Sequence, residues 1–370
     1  MDDTRSRELL DRARGCLTGL AVGDALGMPT QCLPFALVRE RYGLLAGFEP
    51  GPADNPISGG MAAGRITDDT EQTVLLARSL LDDDAAGPGR VDPLAFAREL
   101  LAWHGRMVET GSEDLLGPST LRAVEAIAAG ADPLTTGRWG DTNGAAMRVA
   151  PVGILVPPRP LEELARRVHE VSRPTHDTNV AVAGAAAVAA AVSSALEGAD
   201  VAEATDLAVE AAHLGGELGQ YVPGADVAMR IEWALDVVRE QPLEAGLELI
   251  SELVGTSMAT QESVPAAFAI LSLTPDPWLA LRAAASLGGD SDTIAAIVGA
   301  IAGAAGASWP DDVVAALLAT NPALADGPSA LDRLAARLVE LRLGAGRSTG
   351  AAERAGRGAP PCTRPWPRSS

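Results

Sequence analysis

The chain contains no lysine. All 29 of its basic residues are arginine, and 49 Asp and Glu residues bring the formal net charge of the 370 residues to −20. The absence of lysine excludes a Walker-type phosphate lysine and any Schiff base to a carbonyl substrate or to pyridoxal phosphate. A surface this acidic repels phosphate backbones, so the composition argues against a nucleic-acid partner.

Aromatic residues and cysteines are also scarce. Phe, Trp and Tyr make up 3% of the chain, and its three cysteines show no CxxC spacing. This cysteine pattern argues against a disulfide framework and against a zinc site. A core with few aromatics must be filled by aliphatic and alanine side chains, which let helices approach closely, and the alternating patterns of β-strands are rare. The composition therefore predicts an all-α fold.

Helical periodicity recurs along the chain with short breaks of Gly, Pro and Asp. We expect one compact multi-helix domain over residues 1–343 and a disordered Arg/Pro/Gly-rich tail over residues 344–370. A long Gly/Pro-rich loop is predicted for residues 43–65. The predicted helices cover residues 6–26, 69–83, 92–108, 119–129, 143–156, 160–172, 177–197, 200–219, 224–240, 242–254, 262–272, 277–287, 292–307, 311–319 and 329–343.

Two features bear on the compartment. The start, "MDDTRSRELL", is acidic and polar, unlike a signal peptide. The apolar run at residues 180–196 is alanine-rich and short for a membrane span, so it predicts a buried helix. We therefore expect a cytoplasmic protein with no membrane partner.

Two acidic clusters, "ITDDTE" at residues 66–71 and "GGDSDT" at residues 288–293, carry the strongest chemical signal. The helix after the second cluster is almost entirely Gly, Ala, Ile and Val, which predicts that it is buried together with the carboxylates at its start. Buried carboxylates need partners, and neither lysine nor a nearby arginine supplies one. For the first cluster alone, helix capping by Thr67 with Asp68 and Asp69 in the first turn is an equally simple interpretation.

The donor types in the two clusters indicate which metal they suit. Four carboxylates with threonine hydroxyls, and no His or Cys, favour oxygen-only coordination of Mg²⁺, for which Mn²⁺ can substitute. So many carboxylates are typical of two ions that share a bridging aspartate. The predicted magnesium ligands are Thr67, Asp68, Asp69, Asp290, Asp292 and Thr293.

Five ordered blocks of sequence resemble the ADP-ribosylglycohydrolase family, which includes the glycohydrolase that reactivates dinitrogenase reductase. The resemblance spans roughly residues 10–320. The blocks are "GCLTGLAVGDALGMPTQ" (15–31), "TDDT" (67–70), "NGAAMRVAPVG" (143–153), "THDTNVAVAGAAAVAAAV" (175–192) and "GGDSDTIAAIVGAIAGA" (288–304).

The resemblance implies a compact all-α fold with a two-magnesium centre at the base of an ADP-ribose cleft. It implies hydrolysis of the bond that joins C1″ of the distal ribose to a protein side chain or a small acceptor. In that reaction the metal ligands Asp69 and Asp292 would act at the catalytic centre. The residues expected to contact substrate are Asn143, Gly144, Met147 and His176.

Alternatives remain open for several of these residues. The block that starts at Asn143 has the small side chains of an anion site and equally those of a tightly packed helix. His176 is either a substrate contact or a packed structural residue. For Arg148 an ion pair with a buried aspartate is favoured over a substrate phosphate, and Asp24 is expected to hydrogen-bond within the bend of its own helix.

Gln31 departs from the family pattern, because a glutamate often stands at this position and works near the scissile bond. Glutamine keeps the size of glutamate but cannot act as a general acid or base. The role then passes to another carboxylate, such as Glu40, Glu49 or Glu71, or the chemistry differs. The leading hypothesis is a Mg²⁺-dependent hydrolase of ADP-ribose glycosidic bonds. Its alternatives are a nucleoside or nucleotide N-glycosidase of the same fold, a non-catalytic ADP-ribose-binding protein and a two-metal phosphohydrolase.

Overall fold

A computed structural model describes residues 3–82, 89–110 and 116–356. This part of the chain is all-α, with two isolated β-bridges in place of a sheet. The α-helices are α1 (Asp3–Gly27), α2 (Phe35–Tyr42), α3 (Asp68–Leu80), α4 (Pro93–Thr110), α5 (Pro118–Ala128), α6 (Pro133–Thr136), α7 (Gly144–Arg148), α8 (Ala150–Leu155), α9 (Leu161–Ser172), α10 (Asn179–Leu196), α11 (Val201–Leu218), α12 (Val227–Val238), α13 (Leu243–Leu249), α14 (Thr260–Leu273), α15 (Pro277–Ala285), α16 (Ser291–Ala304), α17 (Asp311–Thr320) and α18 (Leu331–Gly356).

The core is built around α10 and α16, whose side chains are nearly all buried. Alanine, glycine and valine dominate both helices, so neighbouring helices can pack close to their axes. By length and composition α10 resembles a membrane span, with a mean hydropathy of 1.7, but 89% of it is buried inside the protein. Its burial agrees with the predicted core helix at residues 180–196.

A glycine seam on α1 sets its contact with α16. The seam consists of Gly15, Gly19, Gly23 and Gly27, which recur every fourth residue along one face. A Cβ atom on Gly19 would lie 2.3 Å from the carbonyl oxygen of Gly299, and one on Gly23 would lie 2.2 Å from that of Ala295. The two backbones therefore touch, and no larger residue fits between them.

Several predicted boundaries are corrected by the structure. The helix predicted over residues 143–156 is two helices, α7 and α8, which meet at Val149. Pro151 accounts for the break, because proline lacks the N–H that a continuous helix needs and its ring clashes with the carbonyl four residues earlier. The sequence also missed α2 and the single-turn α6, which are too short for a clear periodic signal.

The predicted internal loop and the predicted C-terminal tail compare differently with the structure. Residues 43–65 contain no helix or strand, as the Gly/Pro content predicts. The last helix, α18, continues past residue 343 to Gly356, and residues 351–355 within this stretch, Ala-Ala-Glu-Arg-Ala, are all good helix formers. The remainder of the predicted disordered tail, residues 357–370, lies outside the described residues.

The glycine seam predicts opposite effects for two glycine substitutions. Gly19→Ala should lower the free energy of unfolding by about 1–3 kcal/mol, because the added methyl group forces α1 and α16 apart. Gly105→Ala should raise it by about 0.4–1 kcal/mol, since Gly105 lies inside α4 and no neighbouring atom of the described residues lies within 4 Å of the position that its Cβ would take. Urea denaturation of both variants measures the change in the free energy of unfolding. Equal changes in the two variants would contradict the close contact between α1 and α16 at Gly19.

Candidate metal and substrate site

The two acidic clusters meet at one cavity. Asp68 and Asp69 lie in the first turn of α3, and Asp290 and Asp292 lie at the start of α16. The cavity has a volume of about 180 Å³. Of the eleven predicted site residues it is lined by all but Thr67 and His176, namely Gln31, Asp68, Asp69, Asn143, Gly144, Met147, Asp290, Asp292 and Thr293.

Asp24, which is fully buried on α1, supplies the cap of α3. Its carboxylate accepts hydrogen bonds from the backbone N–H of Thr67 (3.0 Å) and of Thr70 (3.1 Å), and also from both threonine hydroxyls. The sequence analysis expected Asp24 to form hydrogen bonds within α1, and it expected the side chain of Thr67 to cap α3. Thr67 occupies the N-cap position, but its side chain makes no capping hydrogen bond. Its hydroxyl lies between Asp24 and Asp69, 3.2 Å from Asp69 Oδ2.

The electrostatics of the cavity disfavour four ionised carboxylates without a counter-charge. Burial and the neighbouring carboxylates hold the pKa values of Asp68, Asp69 and Asp292 well above their usual range. Burial likewise raises the pKa of Asp290, although hydrogen bonds from Asn143 and Thr293 oppose the shift. For Asp24 burial outweighs the four hydrogen bonds and raises the pKa to about 6.

Two carboxylate oxygens in the cavity wall, Asp69 Oδ1 and Asp292 Oδ1, are buried without a hydrogen-bond partner among the described residues. Orphaned carboxylate oxygens are costly unless a cation or a donor meets them. In the described parts of the chain no group of three or more His, Cys, Asp or Glu side chains forms a ready-made ion site. The donor chemistry nevertheless fits a hard divalent cation, because every candidate ligand is a carboxylate or hydroxyl oxygen.

Asn143 orients the second cluster. Its amide nitrogen donates hydrogen bonds to Asp290 Oδ2 (2.5 Å) and to Ser263 Oγ (2.9 Å), and its own N–H donates to the carbonyl of Met258. Asn143 thus fixes one carboxylate while it lines the cavity. The neighbouring Gly144 leaves the space that the side chain of His176 fills.

His176 lies behind the cavity wall. It is fully buried, and a Cβ atom on Gly144 would lie 2.7 Å from its Cε1 atom. Burial and the nearby Arg148 and Arg122 hold the pKa of His176 well below its usual range, so the ring is neutral. This placement agrees with the packed structural role that the sequence left open.

Gln31 faces the cavity from a tight turn. Its backbone carbonyl accepts a hydrogen bond from Asn55 (2.7 Å), while its side-chain nitrogen Nε2 is buried with no partner in the part of the chain that the structure describes. The next residue, Cys32, has a positive φ of 59°, which costs free energy in a residue other than glycine. Its N–H donates to the carbonyl of Gly289 (2.6 Å), and this bond ties the turn to the second cluster.

The glutamates that the sequence offered as substitutes for Gln31 lie elsewhere. Glu71 lines a different cavity, where it accepts a hydrogen bond from Trp103 Nε1 and faces Arg65 at 3.5 Å. Glu40 and Glu49 are absent from the lining of the site cavity. In the described residues, therefore, no glutamate replaces Gln31 at the cavity wall.

Comparison with known proteins adds independent evidence. Residues 5–347 match the family model described as ADP-ribosylglycohydrolase. The uncharacterised protein YegU of Escherichia coli K12 is 36% identical over 296 residues, which are 80% of this chain and 87% of YegU. The human ADP-ribosylhydrolase ARH3 is 29% identical over 327 residues, which are 80% of this chain and 85% of ARH3.

A solved structure shows the same fold. A chain of an ADP-ribosylglycohydrolase-related protein complex superimposes with a TM-score of 0.59 and 25% sequence identity. The match covers 91% of this chain and 99% of that chain. The all-α architecture predicted from composition is therefore confirmed.

The raised carboxyl pKa values predict how stability depends on pH in the metal-free protein. An acid whose pKa is higher in the folded state binds its proton more tightly when folded, so its stabilising contribution is present at low pH and is lost as the pH rises through the folded value. We expect the melting temperature in EDTA to fall as the pH rises above about 4, the ordinary pKa of an aspartate, and to keep falling through the pKa of Asp24 at about 6.

Two variants test the origin of that dependence. Asp292→Asn removes one buried charge and should flatten the pH profile, whereas Asp11→Asn alters an exposed carboxylate and should leave it unchanged. Thermal unfolding in EDTA across this range measures both. A melting temperature that rises with pH in the metal-free protein would contradict the prediction.

Proposed function

This chain belongs to the ADP-ribosylglycohydrolase family, and on that premise we propose that it is a magnesium-dependent hydrolase that cleaves a glycosidic bond at C1″ of ADP-ribose. The substrate is an ADP-ribosylated protein side chain or a small ADP-ribosyl compound. The family is metal-dependent in general. We further propose, from the sequence, that the protein acts in the cytoplasm.

The observation that carries the proposal is the pair of unpartnered oxygens, Asp69 Oδ1 and Asp292 Oδ1, in the wall of one cavity. One oxygen comes from each acidic cluster, so a cation that satisfies both would join α3 to α16. Two ions are proposed because four buried carboxylates exceed the charge of one. The proposed ligands are Thr67, Asp68, Asp69, Asp290, Asp292 and Thr293.

The size of the cavity indicates which part of a substrate enters it. A volume of about 180 Å³ lies below the 300–1,000 Å³ that encloses a drug-sized ligand. We therefore propose that the reacting ribose enters, while the adenosine part lies outside against more open surface.

The division of chemistry follows from the residues. When bound, the ions supply Lewis-acid stabilisation and a water of lowered pKa. Asp69 and Asp292 would hold the ions next to the reacting ribose, and the hydrogen bond from Asn143 keeps the Asp290 carboxylate in place. Gln31 presents a neutral amide donor to an acceptor atom of the substrate, and it cannot transfer a proton.

Because residue 31 is not an acid, the site favours substrates in which the group attached to ADP-ribose is a good leaving group. A carboxylate is a weak base and leaves without a proton from the protein, whereas a serine oxygen needs a proton in order to leave. An arginine-linked guanidinium already carries its proton, but the neutral guanidine that it releases is a strong base and therefore leaves slowly. We expect turnover to be fastest for ester-linked ADP-ribose and slower for serine- or arginine-linked forms.

Product analysis tests the proposed function. Purified protein with Mg²⁺ is incubated with ADP-ribosyl-arginine, an ADP-ribosyl-serine peptide, O-acetyl-ADP-ribose and common nucleosides, and the products are separated by chromatography. We expect free ADP-ribose from at least one substrate, lost in EDTA and reduced by at least about tenfold in Asp292→Asn. Glu49→Gln, a carboxylate away from the cavity, should match the wild type.

The same experiment distinguishes the alternatives. Release of a free base would instead indicate a nucleoside N-glycosidase, and AMP or phosphate would indicate a phosphohydrolase. The neutral Gln31 favours a second candidate, a non-catalytic ADP-ribose-binding protein. That candidate predicts ADP-ribose affinity without turnover in the wild type and a gain of turnover in Gln31→Glu.

A further inference from the structure

Arg148 is a buried cation that the proposed mechanism does not use. It is 1% exposed, and its guanidinium lies 5.5 Å from the ring centre of Phe96. The sequence predicted an ion pair with a buried aspartate. Instead, Arg148 Nη1 donates to Gln72 Oε1 (2.6 Å), and Gln72 Nε2 donates to Asp68 Oδ2 (2.9 Å). The glutamine thus separates the two charges.

The opposite edge of the guanidinium begins a second chain of hydrogen bonds. Arg148 Nη2 donates to Thr175 Oγ1 (2.5 Å), which lies 2.7 Å from His176 Nδ1. His176 Nε2 then lies 3.0 Å from Thr142 Oγ1. Thr175 and His176 are fully buried, whereas Thr142 is half-buried and lines the cavity. One arginine thereby connects Asp68 on one wall of the cavity to Thr142 on another.

A guanidinium can only donate hydrogen bonds, and this sets the donor-to-acceptor direction of the series of hydrogen bonds from Arg148 to Thr142. Thr175 accepts from Arg148, and its own hydroxyl proton needs an acceptor. Within the described residues, the acceptor in contact with it is Nδ1 of His176. A neutral imidazole that accepts at Nδ1 carries its proton on Nε2.

The last step reaches the cavity. His176 Nε2–H donates to Thr142 Oγ1, and among the described residues no protein acceptor is left for the hydroxyl proton of Thr142. Because Thr142 lines the cavity, that proton is available to a ligand there. The Nε2–H tautomer of His176 is thus the one in which every hydrogen bond from Arg148 to Thr142 has one donor and one acceptor.

We propose that Thr142 is a substrate-binding residue whose hydroxyl donates a hydrogen bond to an oxygen of the substrate, and that Arg148, through Thr175 and His176, is the positioning residue that fixes this direction. The same guanidinium, through Gln72, keeps Asp68 oriented as a hydrogen-bond acceptor. The assignment of a substrate to Thr142 rests on the function proposed above, whereas the His176 tautomer does not.

Nitrogen-15 NMR of the imidazole tests the direction without any ligand. The full chain, labelled at histidine, should show His176 as the neutral Nε2–H tautomer. Thr175→Val removes the donor to Nδ1 and should shift the His176 signals, whereas Thr73→Val, a buried threonine of α3 that bonds the Asp69 carbonyl, should leave them unchanged. A wild-type proton on Nδ1 would overturn the proposal.

Calorimetric binding of ADP-ribose tests the role of Thr142. Thr142→Val should weaken binding about three- to tenfold, the loss expected for one hydrogen bond, and Thr142→Ser should restore it. Thr175→Val should weaken binding by a similar factor, and the double variant should be no weaker than Thr142→Val alone, because both remove the same bond. Additive losses, or equal affinity of Thr142→Val and wild type, would overturn the proposal.

Parallel titrations with ADP locate the acceptor oxygen. A loss for ADP as well as ADP-ribose in Thr142→Val places the acceptor on the diphosphate, and a loss for ADP-ribose alone places it on the distal ribose. Both results support the donor role of Thr142. Failure of the wild type to bind either ligand would contradict the proposed function. The NMR result would still decide the direction of the hydrogen bonds between Arg148 and Thr142.

Mn²⁺ binding, followed by electron paramagnetic resonance, tests the Asp68 side. Gln72→Met should raise the dissociation constant about 10-fold, a typical cost of losing a hydrogen-bond partner of a metal ligand. Thr73→Val should leave it within about twofold of wild type, and both variants should lose similar thermal stability. Unchanged Mn²⁺ affinity in Gln72→Met would overturn this half of the proposal, and no binding by wild type would contradict the metal site itself.

Discussion

Buried negative charge is the constraint on which this site depends. Asp68, Asp69 and Asp292 are nearly inaccessible to solvent, and Asp24 lies fully buried beneath them. Two elements of the fold offset this charge in part. The carboxylates of the two clusters lie at helix N-termini, where the peptide dipoles favour anions, and Asp24 accepts four hydrogen bonds from Thr67 and Thr70. The unpartnered oxygens of Asp69 and Asp292 show that the compensation within the chain is incomplete.

Helix α1 places both clusters. Its glycine seam brings Gly23 and Gly27 against the first turns of α16, and Asp24, between them in sequence, holds the N-terminus of α3. One turn of α1 thus fixes the start of each acidic helix. The absence of side chains at the seam has a chemical consequence, because it lets the carboxylates of α3 and α16 share one small cavity. Stability and site geometry therefore depend on the same few residues.

The sequence predicted the features that show as long runs or local clusters of one residue type. The all-α class follows from composition, and the buried α10 and α16 follow from uninterrupted runs of small apolar residues. The two acidic clusters were found because carboxylates beside such runs are unusual. The break at Pro151 was also visible in the sequence, but the apolar pattern on both sides of it outweighed the proline.

The supporting residues could not be predicted because their partners lie far away in sequence. Asp24 is 43 residues from Thr67, and Arg148 is 76 residues from Gln72. Asp24 was expected to bond within its own helix, since a sequence reveals local partners first. Gln72 carried no signal, and Thr142 was visible only as the residue before the Asn143–Gly144 pair, with no role assigned to it. A buried glutamine differs from an exposed one only by what surrounds it, and the sequence alone does not contain that information.

The cavity finally combines two kinds of polarity. Its carboxylates only accept or coordinate, so they serve cations. Two of the donors that line it, the amide of Gln31 and the hydroxyl of Thr142, are neutral and suit substrate oxygens. The charged donor, Arg148, stays behind the wall, where it orients Asp68 and Thr142 without neutralising the carboxylates through direct contact. A lysine or arginine inside the cavity would compete with divalent ions for the same oxygens. The separation of Arg148 from Asp68 by one glutamine thus leaves the Asp68 carboxylate available to metal while still orienting it.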